Sequence, residues 1–243
     1  MDERIREARI DLAAALRLAA RLGLHEGICN HFSYMVPGSD ALFLINPHGY
    51  HWSEIKASHL LLLDRDGRLL EGESAPEPSA YYIHWRLHRG LPHARAVLHS
   101  HMPYATAITT LADGRLEPIS QTALGFHDRI AYDDDYNGFA VDEAEGDRMM
   151  RTLGNKSLLF LANHGVIVTG PSMHVAFDDL YYLERAAQLQ WLAMSMGRPL
   201  RRVPPAIAAK TAQQYADEGD KLARPHFEAL KRILDREAPD YRD

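Results

Sequence analysis

Two groups of histidines carry the clearest chemical signal in the chain. In Ala96-Val97-Leu98-His99-Ser100-His101 an apolar run ends in two imidazoles spaced two apart. Side chains so spaced in a strand leave the same face, so His99 and His101 form a two-toothed clamp for a metal ion. In Leu158-Leu159-Phe160-Leu161-Ala162-Asn163-His164-Gly165 a second apolar run ends in a histidine, followed by a glycine that lets the backbone turn. If the two strands are neighbours, His164 closes on the same point. Three neutral nitrogen ligands then leave open positions, the arrangement of a reactive metal rather than a structural one. With 14 histidines in the chain, chance occurrence is the bland alternative for either motif alone. Their shared setting, each at the polar end of an apolar strand, joins them.

The elements that position these residues follow from periodicity. Over residues 3–22, Ile5, Ala8, Leu12, Leu16 and Ala19 line one helical face, and Gly23 stops the helix. Residues 31–36 and 41–45 are short and strand-like, separated by the turn former Pro37-Gly38-Ser39-Asp40. Residues 60–64 and 68–70 form a second pair across Asp66-Gly67. Pro78 suits the first position of a helix over 78–88, which Arg89-Gly90-Leu91-Pro92 breaks. The compact apolar runs 94–98 and 157–161 read as strands in the middle of a sheet, although periodicity leaves a buried helical turn open. Helices are expected over 142–153, capped by Asp142, over 172–196, ended by Gly197, and over 206–237. With no linker-like segment before Gly197, residues 1–200 read as one mixed α/β domain and 201–243 as its helical extension.

Composition bounds the rest. A chain of 243 residues that is 46% hydrophobic builds a sizeable core. The balance of 27 Lys and Arg against 33 Asp and Glu, with no basic stripe longer than Arg198 to Arg202, argues against nucleic acid. No apolar run approaches a membrane span, and the start of the chain lacks a signal-peptide pattern, so the expected location is cytoplasmic. The single cysteine, Cys29, forbids an internal disulfide and reads as a small buried hydrophobe.

Taken in order, Gly27-Ile28-Cys29-Asn30-His31-Phe32-Ser33, Ile45-Asn46-Pro47-His48-Gly49, the Pro-Ser helix start, Ala96 to Ala105 and Ala162-Asn163-His164-Gly165 resemble the class II aldolase and adducin head-domain superfamily. The resemblance runs from about Ala13 to Leu192. It implies a three-layer α/β/α sandwich around a central, largely antiparallel mixed sheet, and homotetramers with active sites between subunits. It places His99, His101 and His164 on the metal-binding histidines. It also places Asn30 and the turn Asn46, Pro47, His48 and Gly49 on segments that hold the substrate's anionic group, with Ser79 nearby.

One departure matters. The aldolases carry Ser-Ser-Glu, with the glutamate four residues before a position filled here by His84, and Ala80 stands at the glutamate's place. This is the adducin-like pattern. Glu77 lies three residues early, beyond a proline, while His84 at i+4 from Ala80 is the better stand-in, unless it packs in the core with Tyr81 and Trp85. Asn46-Pro47-His48-Gly49 replaces the phosphate binders' Thr-Pro-Ser-Gly and suggests a carboxylate or other planar anion. Tyr181, in a helix with Tyr182 and Glu184, is a candidate proton donor across a subunit boundary. Arg129, Tyr132 and Asp133-Asp134-Asp135 read as a cleft border or, preferably, a solvated turn. Met149, Met150 and Trp191 read as packing residues.

These readings converge on a metal-dependent lyase, aldolase or decarboxylase, acting on a small anionic oxo or hydroxy compound through a stabilised enolate. Zinc is the first expectation, with manganese or iron open. The rival readings are a non-catalytic adducin-like assembly module and an iron-dependent oxygenase on the same scaffold.

Overall fold

The computed structural model describes residues 2–138 and 142–243. Eight strands form one sheet: β1 (His31–Met35), β2 (Leu42–Ile45), β3 (Leu61–Asp64), β4 (Leu69–Glu71), β5 (Ala96–Ser100), β6 (Ile130–Asp133), β7 (Leu158–Leu161) and β8 (Gly165–Gly170). Their order is β4-β3-β2-β1-β5-β8-β7-β6, and among the described residues only the β6–β7 pair is parallel. The helices are α1 (Glu3–Leu22), α2 (Pro78–Gly90), α3 (Pro103–Thr109), α4 (Gln121–Leu124), α5 (Glu143–Leu153), α6 (Met173–Ser195) and α7 (Pro205–Glu237).

Alternation along the strands sorts side chains into two cores. Phe32, Leu44, Leu62, Leu98, Val168 and Phe160 pack with Leu12 and Leu16 of α1, Ala105 of α3, Phe177 and Leu183 of α6, and Phe227 of α7. On the opposite face Val97, Ile167 and Leu159 meet Ile83 and Leu87 of α2 and Met149 and Leu153 of α5. Farther along that face Phe43, Ile45 and Leu63 meet Ala80 and Trp85 of α2. Helices thus cover both faces of a largely antiparallel sheet, the expected three-layer sandwich.

Local rules account for most helix ends. Asp2 accepts from Arg4 N, Asp142 from Glu145 N and Ser172 from Val175 N, each satisfying an N–H with no partner inside its helix. Gly23, at φ 70°, ends α1 in the left-handed region. α2 departs from expectation by running through Gly90. A Cβ there would stand 1.9 Å from Met150 Sδ, so this glycine serves close packing against α5. α7 lies along α6, with Phe177 against Phe227, and Lys231 reaches Asp11 of α1 at 2.8 Å.

Several readings are corrected. β5 and β7 are not neighbours, because β8, unread in the sequence, lies between them. β6, α3 and α4 were also unread. Cys29 is exposed, in the loop before β1, where no apolar core surrounds it. Trp191 is half exposed on the outer side of α6, resting on Tyr104. Asp133 is not in a solvated turn; it ends β6 buried and paired with Arg148. Among the described residues, no helix is long and apolar enough to cross a membrane.

Candidate metal centre

His99 is near the end of β5, His101 just beyond it, and His164 in the turn from β7 to β8. Because β8 pairs with β5, placing His99 opposite Ile167 and Ser100 opposite Val166, that turn is carried to the tip of β5. Asn163 makes the turn at φ 56°, a conformation asparagine tolerates better than most residues. Gly165 has no room for a side chain: a Cβ would lie 2.7 Å from both His101 Cδ2 and Ser100 O. The result is a cluster whose three ligand nitrogens all lie within 4.8 Å of one another.

The hydrogen bonds behind the rings set their orientation. His99 Nδ1 donates to Val166 O at 3.0 Å, and His101 Nδ1 faces Glu26 Oε2 at 2.6 Å. In neutral rings this leaves both Nε2 atoms bare, and they face each other at 3.1 Å. Two lone pairs so placed repel, and a cation between them relieves that repulsion, so the donor set fits a divalent ion. Burial, then the neighbouring histidines, pushes His99 well below the usual imidazole range. Burial, then His101, takes His164 down to about 4. Both rings are therefore neutral near pH 7, as metal ligands need to be.

Asn30 ties the loop after α1 to this centre. Its Oδ1 accepts from Glu26 N at 2.8 Å and His101 N at 3.3 Å, while its buried Nδ2 has no partner among the described residues. Glu26, which the sequence reading missed, carried no local signal, since its role appears only when the loop meets the end of β5.

A second set of side chains lies between β1 and α2. His31 and Ser33 leave β1 on one face, and His84 and His88 leave α2 one turn apart. His31 Nδ1 lies 2.7 Å from His84 Nε2, and Ser33 Oγ lies 2.5 Å from His84 Nδ1 and 2.6 Å from His88 Nε2. His88 Nδ1 is 2.6 Å from Ala94 O. The His31 and His99 rings are 4.8 Å apart. Burial drives His84 well below the usual range, His88 to about 4, and His31 to about 3 despite the opposing charge of Glu77.

His84 is thus fully buried with both nitrogens engaged, neither facing a cleft nor packed as a plain core residue. Glu77 caps α2, accepting from Ala80 N at 2.9 Å and from Ser79 Oγ. Burial works to raise its carboxyl, but those hydrogen bonds, with His31, hold it below the usual range. Ala80 sits in the apolar cluster of α2. Asn46 is buried and committed, accepting from Phe32 N at 2.8 Å, while His48 and Gly49 are exposed. Tyr181 stands elsewhere, against Tyr182 and His226 of α7. Glu184 accepts from Tyr104 N and Ala105 N at 2.8 and 2.9 Å, capping α3. Arg129 pairs with buried Asp179 beside a cavity of about 1040 Å³ between α4, α6 and α7 that contains none of the clustered histidines.

Known proteins share this architecture. The family model described as Class II Aldolase and Adducin N-terminal domain matches residues 10–191. A putative aldolase class 2 protein of Caulobacter vibrioides is 34% identical, across 98% of this chain and 92% of that protein. Decarboxylase NovR of Streptomyces niveus is 29% identical, across 83% of this chain and 75% of that protein. The crystal structure of an aldolase II superfamily protein from Pseudomonas syringae superposes with a TM-score of 0.93 at 38% identity, covering 100% of this chain and 98% of that one.

Proposed function

Since the chain belongs to the family of class II aldolase and adducin N-terminal domains, we propose that it is a metal-dependent carbon–carbon lyase acting on a small oxo or hydroxy carboxylate. The observation that carries this reading is the three-histidine cluster with its bare, converging nitrogens. His99, His101 and His164 hold the ion, with zinc the first choice for three nitrogen ligands and manganese or iron the alternatives. A divalent cation there supplies positive charge to stabilise the enolate left when a C–C bond breaks.

The chain's own residues do the rest. Val166 O and Glu26 orient two of the rings. The unpartnered Nδ2 of Asn30 is a donor for the substrate's anionic end, joined by the exposed His48–Gly49 turn and Ser79. Asn46 shapes that turn from behind. Glu77 is the carboxylate beside the site and His84 acts from within, while Tyr181 serves only if a second copy brings it near. With Ala80 buried among apolar side chains, the aldolase carboxylate has no substitute at its own position. That suits decarboxylation, which removes no proton from carbon, alongside retro-aldol cleavage. Exposed Leu189, Trp191, Leu192, Met194 and Met196 at the end of α6 fit a homo-oligomer, a tetramer by analogy with the family.

The same exposed strip and the missing glutamate favour a second reading, an adducin-like assembly module without catalysis. Metal analysis followed by a screen of 2-oxo and 2-hydroxy acids for CO2 or aldehyde release separates the two. About one divalent ion per chain, lost in His99→Ala with His101→Ala, is expected together with metal-dependent turnover. Metal content unaffected by both substitutions rejects the centre, and a metal-loaded protein inert to all such acids rejects the lyase.

A further inference from the structure

The buried contacts between β1 and α2 have only one consistent arrangement of hydrogens. The Ala94 carbonyl has none to give, so His88 Nδ1 donates to it. Burial keeps His88 neutral, so its Nε2 is bare and takes the single hydrogen of Ser33 Oγ. Ser33 Oγ then accepts from His84 Nδ1. His84, also neutral, has a bare Nε2 that accepts from His31 Nδ1. The chain ends at His31 Nε2, which in the neutral ring is left without a hydrogen and has no partner among the described residues; that ring lies tilted by 34° to that of His99, with centroids 4.8 Å apart.

We propose that Ser33, His84 and His88 are positioning residues, forming a one-directional hydrogen-bond chain anchored on Ala94 O that holds His31 in its Nδ1–H form and presents its bare Nε2 to the metal centre as acceptor for a substrate hydroxyl. The ring so held accepts from a hydroxyl and offers nothing to a carboxylate or keto oxygen, both of which only accept. The substrate class narrows to hydroxy acids or hydroxy ketones that turn their hydroxyl toward His31. That narrowing rests on the lyase reading; the form of the ring does not.

Nitrogen-15 spectra of the full chain, labelled at histidine and assigned with His31→Gln and His88→Gln, test the proposal in the resting protein. His31, His84 and His88 should all be Nδ1–H near neutral pH. In Ser33→Ala the acceptor for His84 Nδ1 is lost, so His84 shifts its hydrogen to Nε2 and donates to His31, whose own hydrogen moves to Nε2. Ser33→Thr keeps the hydroxyl and should restore the original pattern. Substitution of Ser33 by alanine is nearly isosteric at a fully buried position, and the wild-type spectrum decides the matter even if a variant fails to fold. Wild-type His31 carrying its hydrogen on Nε2, or a His31 pattern unmoved by Ser33→Ala, overturns the chain. On a hydroxy acid found by the screen, Ser33→Ala should lower kcat/KM by about tenfold or more with metal content unchanged, and Ser33→Thr should recover it. A correct tautomer pattern in a protein without turnover would reject the lyase and spare the chain.

Discussion

Replacing Glu26 by alanine removes the acceptor of the His101 Nδ1 hydrogen, 2.6 Å away, and leaves all three ligand imidazoles in the chain. Carboxylate partners of metal-bound histidines fix the ring and raise its basicity, and their loss costs roughly 10–100-fold in metal affinity. Here the Glu26 side chain is 66% exposed and that of His101 18%. Water can replace the lost acceptor and screens the charge, which points to the lower end, about tenfold or ~1.4 kcal/mol. Glu26→Gln keeps an oxygen to accept the hydrogen but loses the charge. A charge-assisted hydrogen bond is about twice as strong as a neutral one, so roughly half that free energy, about threefold, is expected. Zinc affinity measured by competition with a chromophoric chelator near neutral pH gives the three values directly. Urea midpoints should move little, since a mainly exposed carboxylate contributes within about 0.5 kcal/mol to folding. Wild-type zinc affinity in Glu26→Ala, or a glutamine variant weaker than the alanine one, would falsify the account of Glu26 as the residue that holds His101.

Two other perturbations probe the same end of the sheet. Gly165→Ala places a methyl 2.7 Å from His101 Cδ2 and from the Ser100 carbonyl; since the latter is backbone, a loss of about 1–3 kcal/mol in urea unfolding is expected, together with weaker zinc binding, and retention of both shows the turn has slack. Acid lability follows from the buried rings. His31, His84, His88, His99 and His164 all sit below the ordinary imidazole value of 6.5, with His31 at about 3 and His88 and His164 at about 4. In the window from about 6.5 down to about 4 the unfolded chain binds protons that the native chain does not, so stability is full above that window and lost as pH falls through it, by roughly 1.4 kcal/mol per pH unit for each such group. Urea midpoints of the metal-free protein should therefore drop between about pH 7 and pH 5, and a flat profile would show that the rings are not held neutral.

The local sequence determined a good deal. Asp2, Asp142 and Ser172 mark helix starts, and Gly23 and Gly197 mark ends, because unpaired N–H groups and left-handed backbone call for particular side chains. The polar ends of two apolar runs picked out all three residues of the cluster, since strand alternation and a turning glycine are short-range properties. Tertiary structure decided what joins them. His164 meets His99 through β8, whose valine- and isoleucine-rich run was hidden behind the turn that precedes it. Glu26 is 75 residues from His101, and the path from His31 to Ala94 needs a strand face and a helix face pressed together. His84 at i+4 from Ala80 was legible as a stand-in for the missing glutamate or as a core residue, but its two nitrogens are committed by partners 51 and 53 residues away. Spacing along the chain tells which way a side chain leaves its own element; which hydrogen it gives, and to whom, depends on contacts that exist only once the sheet and α2 are packed.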